Sequence, residues 1–399
     1  MHMNTRIYLD HAATTRLHPK VLEAMMPFLT NAFGNPSGVY ALGREAAKAV
    51  DDARRSVAET LGCRPVEIVF TGPGTESINA AIKGVALAQH LAGLGNHVIT
   101  SAVEHHAVLH SCEYLEKFGL EITYLPVDAS GTVNPDDVAR AITARTVLVS
   151  VMLANNEVGT IQPIAEIAAA IHDRARALRR RIPVHTDAVQ GANALDLNVD
   201  ALGVDLLSLS AHKFGGPKGC GLLYMRRGTP FLAQQSGGGQ ERQRRAGTEN
   251  VAGIVGTAVA LRHAQASREE YRRVCGSLAR RLLEGVMKTV PGALLNGHPD
   301  RRLPNNVHLS FEGAESDTML AALDKAGIAA SAGSACTSAT WEPSHVLVAM
   351  GVPLARAIAA LRFTVGPENT PGEIDQLLAV LPRIVAQSRA KARPSLSAK

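Results

Sequence analysis

Short apolar runs alternate with helix-like stretches through the middle of the chain. Runs rich in Val, Ile, Leu and Thr read as strands at 67–71, 97–100, 122–126, 146–152, 183–186, 206–210 and 221–225. Between them, apolar residues recur at helical spacing over 76–90, 106–118 and 164–178. This alternation predicts an α/β fold with a mainly parallel seven-stranded sheet covered by helices on both faces. After about residue 264 the pattern changes. Helical runs at 268–290 and 315–326 enclose one strand-like run at 307–311, which predicts a smaller α+β domain. The expected division is a large domain over 16–264, a small domain made of 1–15 with 265–390, and a tail at 391–399. There are no internal repeats and no low-complexity segment.

Composition narrows the class. The chain has 399 residues, of which 46% are hydrophobic and 19% charged, a balance that suits a globular enzyme. The net charge is +5, with local excess at Arg179, Arg180 and Arg181 and after Arg389. These read as solvated faces, and no basic stripe with a reading element for DNA is present. The five cysteines, at 63, 112, 220, 275 and 336, are odd in number and widely spaced, with no CxxC pair. That predicts free thiols in a reducing, cytoplasmic setting, with neither a disulfide framework nor a zinc site. The stretch MHMNTRIYLDHAATT lacks an apolar core of the signal-peptide type, and no run of about 18 apolar residues predicts a membrane span.

Ligands on parallel sheets sit at the carboxyl ends of strands, so those positions are where chemistry is expected. Lys213 follows the 206–210 strand in SLSAHKFGGPKG. Desolvation there would lower its pKa and make it a Schiff-base nucleophile, whereas a snorkelling lysine would only reach solvent. Asp187 ends the preceding strand in PVHTDAVQG, one strand–connection–strand unit earlier. Neighbouring strands would bring the two to one pocket, an acid and an amine as a pyridoxal phosphate site needs. Capping a helix is the plainer role for Asp187. FTGPGTES (70–77) is a strand end, a glycine-rich turn and a helix start, whose free N–H groups suit a phosphate. It is not a Walker loop, and an ordinary turn capped by Thr75 fits it too. Ser210 and His212 would add donors. His105, in SAVEHHAVLH, would stack on a ring or move protons, but His106 and His110 lie close by and chemistry alone does not choose among them. No HExxH-like pattern points to a metal.

Cys336 sits among small residues in SAGSACTS, ahead of a helix-like run. Such neighbours leave a thiol exposed and movable, and mobility is expected over 331–340. A nucleophilic cysteine acts as the thiolate, so a local positive environment is expected. The other four cysteines read as packing residues.

Taken in order, these motifs resemble the cysteine desulfurase family, the NifS/IscS-like branch of fold-type I pyridoxal phosphate enzymes in the class V aminotransferase group. The stretches that carry the resemblance run from YLDHAATT and FGNPSGVYALG through FTGPGTES, SAVEHHAV, VSVMLANNEVGTIQP, VHTDAVQ, SLSAHKFGGPKG, GGGQERQRRAGTEN and SAGSACTS to LRFTVG. The resemblance implies that Lys213 holds the cofactor covalently, Asp187 pairs with the ring nitrogen and Gln190 reaches the ring hydroxyl. His105 would stack on the ring and Asn155 would lie beside it. Gly74, Thr75, Ser210 and His212 would bind phosphate, and Thr248 would reach the phosphate of a partner subunit, implying a homodimer. Asn35 and Arg362 would hold the substrate carboxylate. Cys336 would take sulfur from L-cysteine as a persulfide, releasing alanine, and pass it to an acceptor protein such as an iron–sulfur scaffold or a tRNA-thiolation protein. Whether Cys336 ligates a cluster in passing is left open. Pro73 departs from the small residue usual between the glycines and removes one N–H from the phosphate loop. A transaminase would need no exposed thiol, and a non-catalytic scaffold would have lost the cofactor residues that are present here. A selenocysteine lyase is not separated from the desulfurase by sequence. Trp341 is taken as a packing residue.

Overall fold

The structure is a computed structural model that describes residues 6–333 and 343–392. The strands in chain order are β1 (Ile7–Tyr8), β2 (Ile68–Thr71), β3 (His97–Ser101), β4 (Glu121–Leu125), β5 (Thr146–Ser150) and β6 (Val184–Asp187). They continue with β7 (Leu206–Ser210), β8 (Gly221–Met225), β9 (Ala293–Leu295), β10 (Asn306–Phe311), β11 (Ile328–Ala329) and β12 (Ala360–Thr364).

Seven of these form one sheet in the order β2-β8-β7-β6-β5-β3-β4. Its central strands are buried throughout because both faces are covered, so they read as continuous apolar runs, whereas the edge strand β4 is mostly exposed or half-buried. Side chains still alternate: Leu207 and Leu209 enter one core cluster, while Leu206 enters the cluster on the opposite face. The expected α/β architecture is therefore present, and its parallel part is β4-β3-β5-β6-β7. One strand departs from it. β8 runs antiparallel to both β7 and β2, because the connection over 211–220 holds only a short 3-10 turn and no crossover helix.

A second core surrounds the antiparallel sheet β12-β10-β9. The long helix Arg268–Thr289 packs on it through Cys275, Leu278, Ala279, Leu282 and Val286, the one-face spacing of an amphipathic helix. Ile7 and Leu9, from the start of the chain, pack into this same core, and β1 pairs parallel with β11. The last helix, Pro371–Ala392, extends slightly past the point where the tail is expected.

Candidate active site

The carboxyl ends of β3, β5, β6 and β7 open into a cavity of about 230 Å³. Its wall includes Gly74, Thr75, His105, Asp187, Gln190, Ser210, His212, Lys213 and Arg362, all expected from sequence. β6 and β7 are parallel neighbours with Asp187 in register with Ser208, so Asp187 and the Lys213 turn share one end of the sheet. Lys213 Nζ donates to the carbonyls of Ala12 and Ala13 at 2.6 and 2.7 Å, and Gln190 Nε2 donates to Ala12 at 3.0 Å. The loop after β1 thus closes one side of the cavity.

Burial sets the electrostatics. Asp187 Oδ1 accepts from the Val189 N–H at 3.0 Å, yet burial raises its carboxyl to about 6, against the pull of Lys213. His105 caps the helix His106–Glu116 by accepting the Ala107 N–H on Nδ1 at 3.0 Å. Burial, with Lys213 adding to it, lowers that imidazole to about 4. The ring is therefore neutral near pH 7, with Nε2 as its protonated nitrogen. His212 is lowered to about 4 for the same two reasons.

The helix Gly74–Leu91 points its N-terminus at the cavity. Pro73 is its N-cap in place of Thr75, and the Gly74 N–H donates to Ser210 Oγ at 3.1 Å. Gly74 is close-packed there, since a Cβ would meet Ser210 Cβ at 3.0 Å and Val189 Cγ2 at 3.1 Å.

Three expected residues lie elsewhere. Asn155 is fully buried behind the wall, and its neighbour Asn156 lines the cavity instead. The reason is local: Asn155 Oδ1 accepts from the N–H groups of Glu157 and Val158, and its Nδ2 donates to Val103, so its amide closes a turn. Asn35 is exposed, off the cavity wall, and accepts the Ser37 N–H in an Asx turn. Thr248 lines a separate recess with Thr71, Gly72 and Arg245. Cys336 and Trp341 lie outside the described residues.

The structure adds residues that sequence reasoning missed. Asp10 Oδ1 accepts from Arg362 Nη2 at 2.7 Å. Glu104 is fully buried, accepts from Ser101 Oγ at 2.6 Å and from the Met152 N–H at 2.9 Å, and is raised by burial to about 8. Glu157 and His345 are on the wall. Glu104 and Glu157 stand in the quoted motifs, and a carboxylate inside an apolar run was the available signal; Asp10 offered none beyond YLDHAATT. Among the described residues no group of three or more His, Cys, Asp or Glu is arranged to hold a metal ion.

The Aminotransferase class-V family profile matches residues 7–377. A cysteine desulfurase IscS of Methanosarcina thermophila is 49% identical over 386 residues, covering 97% of this chain and 93% of its own. A solved NifS-like protein superposes with a TM-score of 0.89 at 37% identity, over 96% of this chain and 100% of its own. A second solved structure, SspA in complex with cysteine, gives a TM-score of 0.79 at 36% identity, over 91% of this chain and 100% of its own. The chain belongs to the class-V aminotransferase family, in its NifS/IscS-like branch of cysteine desulfurases. Enzymes of this family depend on pyridoxal phosphate. The donor set fits that group: a helix N-terminus with Ser210 and His212 for an anion, an amine at Lys213, and a buried acid at Asp187 on the same wall.

Proposed function

We propose that this protein takes the sulfur of L-cysteine onto Cys336 as a persulfide and releases alanine. The observation that carries this reading is the meeting of Lys213, Asp187, His105 and Arg362 on one cavity wall, with Gly333 and His345 on the same wall on either side of the stretch that bears Cys336. When bound, pyridoxal phosphate supplies an electron sink conjugated to the substrate Cα.

The chain's own residues do the rest. Lys213 anchors the cofactor, Asp187 keeps its ring nitrogen protonated, and Gln190 reaches its hydroxyl. Gly74, Thr75, Ser210 and His212 hold the phosphate. Arg362 takes the substrate carboxylate by its guanidinium fork, fixed in direction by Asp10. His105 stacks as a neutral ring and offers the Nε2 proton. The Cys336 thiolate attacks the substrate sulfur, the sulfur–Cβ bond breaks, and protons complete alanine. Thiol plus cysteine therefore becomes persulfide plus alanine without an outside oxidant.

A homodimer belongs to this reading. Thr248, which lines a recess other than this chain's own cavity, would then reach the phosphate in the partner subunit, and Asn35 would join Arg362 at the substrate carboxylate. A sulfur-accepting protein and a cytoplasmic setting complete it, supported by free cysteines at 63, 112, 220 and 275. Among the described residues no helix is long and apolar enough to cross a membrane.

The test measures alanine and sulfide made from L-cysteine with a thiol reductant, for wild type and Cys336→Ala. Equal yields from wild type and neither product from the variant, with its cofactor retained, support the reading. Full activity in the variant removes the thiol from the path and favours a selenocysteine-lyase type of reaction.

A further inference from the structure

Glu157 brings a carboxyl to the cavity wall that also bears Arg362. It is 2% exposed, and its Oε2 accepts the Ser344 hydroxyl. Arg362 Nη1 donates to the carbonyl of Asn156, the residue before Glu157, at 2.8 Å. Burial raises the Glu157 carboxyl, while the Ser344 bond and the charge of Arg362 hold that rise back. Asp10 is the ion-pair partner of Arg362 at 2.7 Å, so Glu157 is a second carboxyl beside one guanidinium.

The rest of the wall offers no balancing charge. Among the described residues, its Lys and Arg side chains are Lys213 and Arg362. Lys213 anchors the cofactor. The four histidines on the wall, His105, His106, His212 and His345, are all lowered, chiefly by burial, and are neutral near pH 7. Arg362 already carries Asp10, and a substrate α-carboxylate adds a second anion to it. A third anion, on the substrate side chain, would find no cation left on this wall. In a cavity of about 230 Å³ it would also stand close to the Glu157 carboxyl, out of reach of bulk water. A thiol side chain carries no such charge near pH 7.

We propose that Glu157 is a specificity-determining residue: it excludes amino acids whose side chain carries a second anion, such as cysteine sulfinate and aspartate, and reserves the cavity for neutral side chains such as the thiol of L-cysteine. Its consequence for turnover rests on the desulfurase reading, in which Arg362 takes the α-carboxylate. Cysteine sulfinate is the competitor with most to gain from admission. Its Cβ–S bond would break with the electron pair left on Cβ, and a proton from water would complete alanine. Sulfur dioxide would leave and take up the remaining hydroxide as bisulfite. That step needs no thiol acceptor and no outside oxidant or reductant, so charge at the wall is what stands against it.

The experiment uses the holoenzymes of wild type, Glu157→Gln and Glu157→Asp. Calorimetry measures binding of L-aspartate and L-asparagine, which match in size and differ in charge. Wild type should bind L-asparagine at least tenfold more tightly than L-aspartate. In Glu157→Gln that ratio should fall by about tenfold or more, whereas Glu157→Asp keeps a carboxyl and should keep most of the ratio. Turnover is read as alanine formed from L-cysteine and from L-cysteine sulfinate. The ratio of kcat/KM for L-cysteine to that for L-cysteine sulfinate should also fall by about tenfold or more in Glu157→Gln. Equal affinity of wild type for the two probes would overturn the proposal without recourse to any variant. So would a Glu157→Gln that weakens both probes alike, which marks a general structural role. If wild type makes no alanine from L-cysteine, the desulfurase reading fails, while the two probe affinities still decide whether Glu157 excludes anions.

Discussion

Asp10 and Arg362, 352 positions apart, meet in a 2.7 Å hydrogen bond that points the guanidinium along the cavity wall. The Arg362 side chain is 2% exposed and that of Asp10 is 18% exposed. Asp10→Ala leaves Arg362 with carbonyl partners only, at Asn156 and Gly333. Its charge persists, but its direction is no longer fixed. KM for L-cysteine should rise about tenfold, or about 1.4 kcal/mol, with a smaller change in kcat. Stability should fall by roughly 1–3 kcal/mol for the partner left behind. Steady-state kinetics and urea unfolding measure both, and an unchanged KM would show that Asp10 does not orient Arg362 for carboxylate binding.

Asp187 predicts a pH signature in the cofactor-free protein. Its carboxyl is raised by burial from 3.8 to about 6, so the folded state holds this proton more tightly than the unfolded chain. Its contribution is fully present below pH 4 and is lost as pH rises through 6. Asn does not titrate. The stability of Asp187→Asn relative to wild type should therefore increase between pH 4 and 7, by about 3 kcal/mol. Urea unfolding of the two cofactor-free proteins at several pH values tests this. With pyridoxal phosphate added the order should reverse, because the carboxylate then has a cation to pair with. A flat difference across the range would mean that the carboxyl is not held protonated by its surroundings.

The sheet was readable because its central strands are buried on both faces, which concentrates Val, Ile and Leu into short runs such as Leu206–Ser210 and Gly221–Met225. Strand direction was less readable. The antiparallel β8 is set by a connection without a crossover helix, and apolar runs carry no sign of direction. The site was readable wherever a residue closes a strand, as Asp187 does, or follows one, as Lys213 does. It was not readable where two adjacent residues of one type divide the work. Asn155 closes a turn and Asn156 faces the cavity, and only the backbone path decides which is which. Asp10 was missed because its partner is 352 positions away, beyond any local pattern.

His105 both caps a helix and lines the cavity, and the two roles can be separated. Asn is a strong N-cap, so His105→Asn should keep the fold while removing the ring. Loss of stacking and of the Nε2 proton should lower kcat about a hundredfold or more. The imidazole is lowered to about 4, so it stays neutral from pH 5 to 8. Any acidic limb of the wild-type rate profile within that range must come from another group, and the variant should keep it at the same pH. Disappearance of that limb in His105→Asn would show that the ring titrates in the holoenzyme.

Arg54 and Glu241 form a bidentate pair with hydrogen bonds of 2.7 and 2.9 Å, at 3% and 5% exposure. Glu241 also accepts the Phe70 N–H at 3.1 Å, and Arg54 also donates to the Ile68 carbonyl. Glu241, Arg242 and Gln243 all have positive φ, at 47°, 56° and 65°, a conformation that costs non-glycine residues free energy. The pair pins this strained turn to β2. Farther along the chain, Arg245 is latched to Glu76 at 2.9 Å, just before Thr248. Removing one partner leaves a buried charge alone, so Arg54→Met or Glu241→Gln should each cost roughly 3–5 kcal/mol. The double variant Arg54→Met/Glu241→Gln has no unpaired charge, and Gln can still accept the Phe70 N–H. It should therefore be more stable than either single variant in urea unfolding. If the two losses simply add, the charges are not paired in solution, and the turn that leads to Thr248 must be held by Arg245 and Glu76 instead.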